Sequence, residues 1–573
     1  MSVLDWVVLA ATILGIAAWG VWSTRRHSVG DSYLRGSGTL GWPTIGLSVM
    51  ATQASAITFL SVPGQAYDNG LRFVQFYFGM PIAVIVVAAV FLPFFARQKV
   101  VTAYEYLERR FDVRLRVLGA LLFLTQRGLA AGITIYAPAI VLSSILGVSL
   151  TTLNLVIGVV VIAYTVSGGS EAVSQTQKQQ MVVILAGMVL AGVVVAMRLP
   201  PDIGVMGAMQ LAGATERMVV VDTTFDLKDR YNLWSGLLGG FFLSLSYFGT
   251  DQSQVGRYLT GKSITEGRLG LLFNAVLKIP MQFGILFVGI LLYAFHVFVP
   301  PPLHFNPTVE AAMAEAESPE WTQLQSEWAT LSAERATVAS EYVAASRQVS
   351  EAGSEGAEAA QALESELRDA WVSSQERADA LQVRAVEVIQ ATAPALETRD
   401  TDYIFIRFVL QYMPRGLVGL LVAVILMAAM SSTASELNAL GTTTSVDLYR
   451  RLFRPEVTDA HMLRMSKLFT MMWGGVAVTF ATWASLLDNL IEAVNILGSI
   501  FYGPILGIFL SAFLIRRATG TPVLVGAALG QALVIGLYFT SDLGFLWYNV
   551  VGCLTVLAVA GAAVLVGPRT PGA

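Results

Sequence analysis

The sequence predicts an all-α polytopic membrane protein, and three observations predict it. Hydrophobic residues fill 55% of 573 positions and charged residues only 13%, roughly half the charged share of a soluble globular chain. Apolar stretches of about 20 residues, enough to cross a bilayer core of about 30 Å, recur along the whole chain. A single cysteine, Cys553, leaves no intrachain disulfide or thiolate cluster. The composition excludes a disordered chain, a disulfide scaffold and a nucleic-acid binder.

Thirteen spans can be placed in order. The first, 3–22, follows Met-Ser-Val with no basic segment before it and no small-residue cleavage site behind it, so it is expected as a retained helix. Spans 42–62 and 72–96 precede the basic loop 97–116; span 117–147 follows it and carries Arg127. Spans 151–167 and 178–197 flank a polar loop at 168–178, and 232–250 is followed by a loop at 251–268. Span 269–298 contains Lys278, and 416–448 lies beyond a long polar segment. The last four are 466–486, 489–515, 521–540 and 545–566.

Loop charge gives the orientation. Segments 24–41, 97–116, 168–178, 251–268, 450–467, 516–520 and the C-terminal tail share one side and hold 21 Lys and Arg. The opposite loops before residue 303 hold five: Arg72, Arg198, Arg217, Lys228 and Arg230. The expectation is a multi-pass protein of the cytoplasmic (inner) membrane, with its N-terminus outside and its C-terminus in the cytoplasm.

Segment 303–403 differs in kind. It holds 19 Asp and Glu, 6 Arg and no Lys, a net charge of −13, while the remainder of the chain is +9. Apolar or small residues at spacings of three and four run through Trp321, Leu324, Trp328, Leu331, Val338, Ala345 and Val349, and again through Leu367, Trp371, Ala378, Leu381, Ala385 and Val388. Gly353 and Gly356 lie between the series. The pattern predicts an extracytoplasmic antiparallel coiled-coil hairpin, with arms of roughly 45 Å. It can serve as a gate, or as a docking arm for an envelope partner or a second protomer.

Two spans carry unusual polarity. The second holds Ser48, Thr52, Gln53, Ser55, Thr58 and Ser61, with helix propensity interrupted from Ala51 to Thr58. The ninth gathers Ser431, Ser432 and Ser435, with Asn438, Thr442 and Thr443 below. Singly, such hydroxyls bond back to carbonyls and permit close packing. Together they suggest interrupted helices around a cavity, whose freed carbonyls hold cations. Oxygen ligands without a fixed carboxylate suit a monovalent cation better than Mg²⁺ or Ca²⁺, which points to sodium. His27, His296, His304 and His461 show no metal spacing, and no nucleotide loop or nucleophile elbow stands in usable context, so no enzyme is expected.

Three runs carry a resemblance: SVMATQASAITFLSVPGQAY (48–67), YFGTDQSQVGRYLTGKS (247–263) and MAAMSSTASELNALGTTTSVDLYRR (427–451). They are similar to the sodium/solute symporters, a family of sodium–glucose, proline, sialic acid, iodide and monocarboxylate carriers. The first run is closest to the iodide, multivitamin and monocarboxylate branch, and the likeness covers nearly all the chain except 303–403. It implies a five-plus-five inverted-repeat, leucine-transporter-like core. On that layout 1–41 is a first helix and loop, 42–197 the first repeat and 198–231 an extracytoplasmic loop. The second repeat is split into 232–302 and 404–515 by the 303–403 insertion, and 516–573 holds two further helices and a tail.

The resemblance also implies roles. Sodium would be held by the carbonyls of Ala51, Ala54 and Ala428 and the hydroxyls of Ser431 and Ser432. Solute would meet Gln53, Ser55 and Thr58 on the first core helix, and Ser244, Tyr247 and Phe248 on the sixth. Where many relatives carry an aspartate, this chain has Gln177, and Ala434 replaces a hydroxyl; one sodium per cycle is therefore expected. Lys178 reads either as a snorkelling lysine or as a charge facing the cation site. Ala130 stands where sialic acid carriers place an arginine. Arg127, one turn away, either grips an anionic solute or locks an inner gate through a carboxylate; Lys278 is open in the same way. Asp251, Arg257 and Arg268 read as a loop salt-bridge set or as a solvated face.

The expected function is sodium-coupled import of a small organic solute by alternating access, leaning to a monocarboxylate or other small organic anion. A proton-coupled or sodium-independent carrier, or a transporter-like sensor working through the hairpin, is the alternative. The implied partners are the solute and the lipid bilayer.

Overall fold

The computed structural model describes residues 1–24, 40–98, 100–351, 357–394, 396, 398, 400–483 and 490–566, without the side chains of 17–24, 144–145 and 167–176. The predicted hairpin turn at Gly353 and Gly356, most of loop 24–41 and the tail 567–573 lie outside these residues.

Helix α1 (Val3–Thr24) precedes a helix broken in two, α2 (Trp42–Gln53) and α3 (Ala56–Asn69). A 3₁₀ segment, Gly70–Tyr77, leads to α4 (Met80–Val86) and, through a π-helical stretch, to α5 (Leu92–Gln98). Next come α6 (Ala103–Arg110), α7 (Val113–Leu146), α8 (Leu150–Arg198) and α9 (Gly204–Ala214). The second broken helix is α10 (Gly240–Thr250) with α11 (Gln252–Leu259), followed by α12 (Ile264–Phe298). The insertion supplies α13 (Pro307–Glu315), α14 (Pro319–Glu351) and α15 (Ala357–Thr392). Helices α16 (Thr401–Tyr412), α17 (Leu417–Thr443), α18 (Asp459–Ala481), α19 (Leu490–Leu514), α20 (Gly520–Thr540) and α21 (Leu546–Val566) complete the chain.

The all-α class holds, and each predicted span has a helical counterpart. Among the described residues, eight helical runs are long and apolar enough to cross a membrane, and Val3–Ile16 and Leu150–Val166 are shorter apolar ones. One of the eight runs, Ala56–Gln98, spans parts of two predicted segments, and α2 and α10 are short halves of broken helices buried among their neighbours.

Four readings change. Helix α8 runs unbroken from Leu150 to Arg198, so the segment expected as a loop at 168–178 is helical. Its first part packs on α18, where Gly158 meets Val478 and Ile162 meets Gly474, and its last part on α17, where Gln177 bonds Ser435 and Gly187 meets Leu421. Second, α17 is continuous through its serine cluster, because each hydroxyl turns back on a carbonyl of its own or a neighbouring helix. Third, the second break falls at Asp251, inside the predicted loop, where the aspartate side chain accepts from Ser253 N and starts α11. Fourth, Asp251 and Arg257 are buried rather than on a solvated face, and among the described residues no ion pair joins them to Arg268, which is exposed and donates to Ala88 O.

The hairpin forms as read, its arms held by Arg377–Glu334 and Arg384–Glu327 pairs whose numbering runs antiparallel. It also docks on the helical body. Trp371 donates to Leu211 O at 3.0 Å, Tyr293 donates to Gln375 at 2.8 Å, and Arg347 donates to Ile203 O at 3.2 Å. Trp371 is fully buried within the main core. Below the hairpin, Gly70 ends α3 at φ 71°, and a side chain there would meet the Arg217 carbonyl oxygen at 2.4 Å; only glycine satisfies both demands.

Candidate functional site

The broken helix α2–α3 is the centre of the site. Its first half ends because Ala54 leaves the helical region (φ −87°, ψ 66°) and Ser55 is extended (φ −73°, ψ 172°). A helix end leaves its last carbonyls without amide partners four residues on, here those from Ala51 to Ala54. Thr58 spans the gap, donating to Gln53 O at 3.2 Å. From α17, the Ser432 hydroxyl lies 3.4 Å from both Ala51 O and Thr52 O, and the Ser431 hydroxyl donates to Ala428 O at 3.1 Å. The five groups predicted to hold sodium thus come from the break and the α17 segment packed on it. All five residues are buried, and every ligand offered is a neutral oxygen, the donor set of a weakly held monovalent cation.

A cavity of about 120 Å³ adjoins this point, lined among others by Gln53, Ser55, Ser244, Tyr247, Phe248 and Arg127. Six of the seven predicted solute residues are therefore brought together; the seventh, Thr58, is occupied within the helix break. Sequence reading passed over three further polar lining groups, Gln126, Glu436 and Asn495. Gln126 Oε1, Glu436 Oε2 and Asn495 Nδ2 are buried without a hydrogen-bond partner, as is Gln53 Oε1. Lys278, left open above, is 1% exposed, lines the cavity and lies 5.1 Å from the Tyr77 ring centre. Among the described residues it has no carboxylate partner.

Charge is concentrated on one wall. Arg127 donates to Asp251, to Glu436 at 3.1 Å and to the Tyr502 hydroxyl at 2.7 Å, and Tyr502 donates to Asp251 at 2.9 Å. This cluster joins α7, the α10–α11 break, α17 and α19. Of the two readings of Arg127, carboxylate pairing describes its contacts, although it still lines the cavity. Glu436 was legible as a charge inside an apolar span, a signal the serine-rich motif around it obscured.

A second buried arginine lies close by. Arg257 of α11 donates to Ser48 Oγ, Gln177 Oε1, Ser435 Oγ and Ser253 O, all neutral acceptors, and is 6% exposed. Gln177 in turn donates to Ser431 O and Ser435 Oγ. Lys178 is half-buried beside it.

Toward the hairpin, Phe73, Phe76, Tyr77 and Tyr231 pack edge-on or stacked at 4.8 to 6.0 Å. Tyr231 donates to Glu492, which also pairs with Arg230 at 2.6 Å. Beyond these aromatics opens a cavity of about 840 Å³, and Asp379, Gln382, Val386 and Glu387 of hairpin arm α15 form one of its walls.

The sequence model of the sodium:solute symporter family matches residues 33–322 and 381–530, leaving out much of the hairpin. The sodium/sialic acid symporter NanT of Aliivibrio fischeri is 25% identical over 97% of this chain and 92% of that protein. Human sodium-coupled monocarboxylate transporter 1 is 26% identical over 92% of this chain and 72% of its own length. The human sodium/iodide cotransporter is 32% identical over 52% of this chain and 46% of that protein. Among solved structures, an outward-open, substrate-bound Na⁺-coupled sialic acid symporter shares the fold at TM-score 0.75, with 22% identity, covering 99% of this chain and 98% of that one. The chain belongs to the sodium:solute symporter family: it is a membrane transporter rather than an enzyme, and Na⁺ is its coupling ion.

Proposed function

We propose that the chain imports a small organic anion, with the solute carboxylate received by Lys278 and one sodium ion held at Ala51, Ala54, Ala428, Ser431 and Ser432. The observation that carries this reading is the buried amine of Lys278 in the central cavity, with a ring face but no carboxylate beside it among the described residues. A buried charge without a counter-ion is costly, and an anionic solute supplies one on arrival. The cavity of about 120 Å³ favours a solute smaller than sialic acid. Gln53, Ser55, Ser244, Tyr247 and Phe248 would orient its body, and Arg127 would act from the wall.

A single sodium per cycle is supported by Arg257. Its guanidinium fills the point where Ser48, Gln177 and Ser435 converge, so a fixed cation stands where a further mobile one would need oxygens. The loop charges favour a cytoplasmic-membrane protein with its N-terminus outside; in that orientation the hairpin would stand at the entrance. The hairpin's wall position favours a part in solute entry over a purely docking role.

The test is a thermal-shift screen of the purified chain against small carboxylates, sugars and amino acids, each in sodium and in choline. A ligand that binds only the folded state raises Tm. A carboxylate stabilising only in sodium, and lost in Lys278→Gln, supports the reading. Stabilisation by neutral sugars alone overturns it.

A further inference from the structure

We infer that Glu436 is a second recognition point of the central cavity, accepting a hydrogen bond from the solute, so that the transporter selects carboxylates bearing a hydroxyl or ammonium group over unsubstituted ones. The inference rests on the anionic-solute reading of Lys278 and adds the opposite end of the molecule. Glu436 is 5% exposed, on the wall facing the cavity. One carboxylate oxygen, Oε1, accepts from Arg127 at 3.1 Å, while Oε2 is buried with no partner.

The neighbouring donors are committed elsewhere. Arg127 gives its other terminal nitrogen to Asp251 and Tyr502, the Tyr502 hydroxyl donates to Asp251, and Thr134, whose hydroxyl lies beside the Glu436 carboxylate, has its one proton directed to Ala130 O at 3.1 Å. Gln254 donates to the Tyr247 hydroxyl. A carboxylate oxygen that is buried and, among the described residues, unpaired is a strong acceptor awaiting a donor, and Glu436 lines the cavity. Its neighbours Gln53 Oε1 and Gln126 Oε1 are free acceptors on the same lining. The cavity therefore presents Lys278 to a carboxylate and a set of oxygens to donors. Two carboxylates, Asp251 and Glu436, share the Arg127 guanidinium, with the buried Arg257 close by, so hydroxyl and ammonium donors are both admitted.

Propionate, lactate, alanine and lactamide separate these demands when bound to the full-length purified chain in sodium. Lactate or alanine should bind at least tenfold more tightly than propionate. Glu436→Gln turns an acceptor into a donor toward the cavity, so it should abolish that preference, weakening lactate and alanine far more than propionate. If the glutamine variant fails to fold, Glu436→Asp keeps the charge, withdraws the oxygen and should weaken the donor-bearing solutes selectively. Equal binding of propionate and its substituted relatives in the wild type overturns the inference, as does an equal loss for all of them in the variant. Lactamide distinguishes the underlying reading: if it binds as well as lactate, the carboxylate role of Lys278 fails while the donor preference stands. No sodium-dependent binding by any of the four overturns both.

Discussion

Gln177 donates from Nε2 to the carbonyl oxygen of Ser431 at 3.1 Å. That one bond ties the candidate sodium ligands to a buried arginine, because Gln177 Oε1 accepts from Arg257. The Arg257 guanidinium in turn gathers Ser48 of α2, Ser435 of α17 and the start of α11. Four helices therefore meet on one side chain. Sodium bound at Ser431 would favour this closed arrangement through the shared carbonyl and amide, and loss of sodium would loosen it. A ligand shifts a conformational equilibrium only through such differential contacts.

Ser431→Ala and Ser432→Ala should each raise the sodium concentration for half-maximal uptake about tenfold, a change of about 1.4 kcal/mol. The solute affinity measured at saturating sodium should change little. Sodium titration of solute uptake in proteoliposomes checks this, and an unaltered sodium dependence in both variants removes these hydroxyls from the site.

Arg127→Ala leaves Asp251 and Glu436 buried without their shared guanidinium. Breaking a buried charge cluster from one side costs about 3–5 kcal/mol, so Tm should fall sharply and transport should be lost. Adding Glu436→Gln to that variant removes one orphaned charge and should recover part of the lost Tm. A role for Arg127 in solute contact alone predicts lost binding with unchanged Tm.

Gln177→Asp gives Arg257 a carboxylate. Hydrogen bonds to charged groups are worth about 1.5–3 kcal/mol, here added to the closed arrangement. Tm should rise and turnover should slow, because the α2–α8–α17 junction opens less readily. Faster turnover, or uptake that now carries two sodium ions per solute by isotope flux, means the aspartate frees Arg257 from the junction rather than holding it there.

Much of this arrangement was legible in the residues. Span positions follow from hydropathy, the hairpin from the period of Trp321, Trp328 and Trp371, and the break near Ala54 from the loss of helix formers between Ala51 and Thr58. The central pairings were not. Arg127 and Glu436 lie 309 positions apart, and nothing in either local pattern says that they meet; the pairing exists only once α7 and α17 pack. The Asp251 break was hidden because one aspartate both caps α11 and pairs with Arg127, so it read as ordinary loop polarity. Loop 168–178 was misjudged because its Gly-Gly pair weakens a helix without ending it when neighbouring helices hold both arms.

The hairpin offers the broadest test, since it packs against α9 and α12 and walls the outer cavity. Trp371→Ala removes a fully buried indole, a loss of about 3–5 kcal/mol, and should free the hairpin tip to proteases while leaving the transport core folded. Replacing 310–398 by a short linker removes Asp379, Gln382 and Glu387 from the vestibule wall altogether. Uptake should then show a raised half-saturation for solute or sodium with sodium coupling retained. Lowered pH should mimic loosening of the arms only weakly. Hydrogen bonds from Arg377 hold the Glu334 carboxyl below its ordinary pKa, so its pairing is intact at neutral pH and is lost only as acid protonates the carboxylate. That pair is exposed, and screening keeps its share of hairpin stability small. If the deletion leaves both half-saturation values unchanged, the wall has no part in entry, and the charged outer faces of α14 and α15 become the surface for an envelope partner or a second copy of the chain.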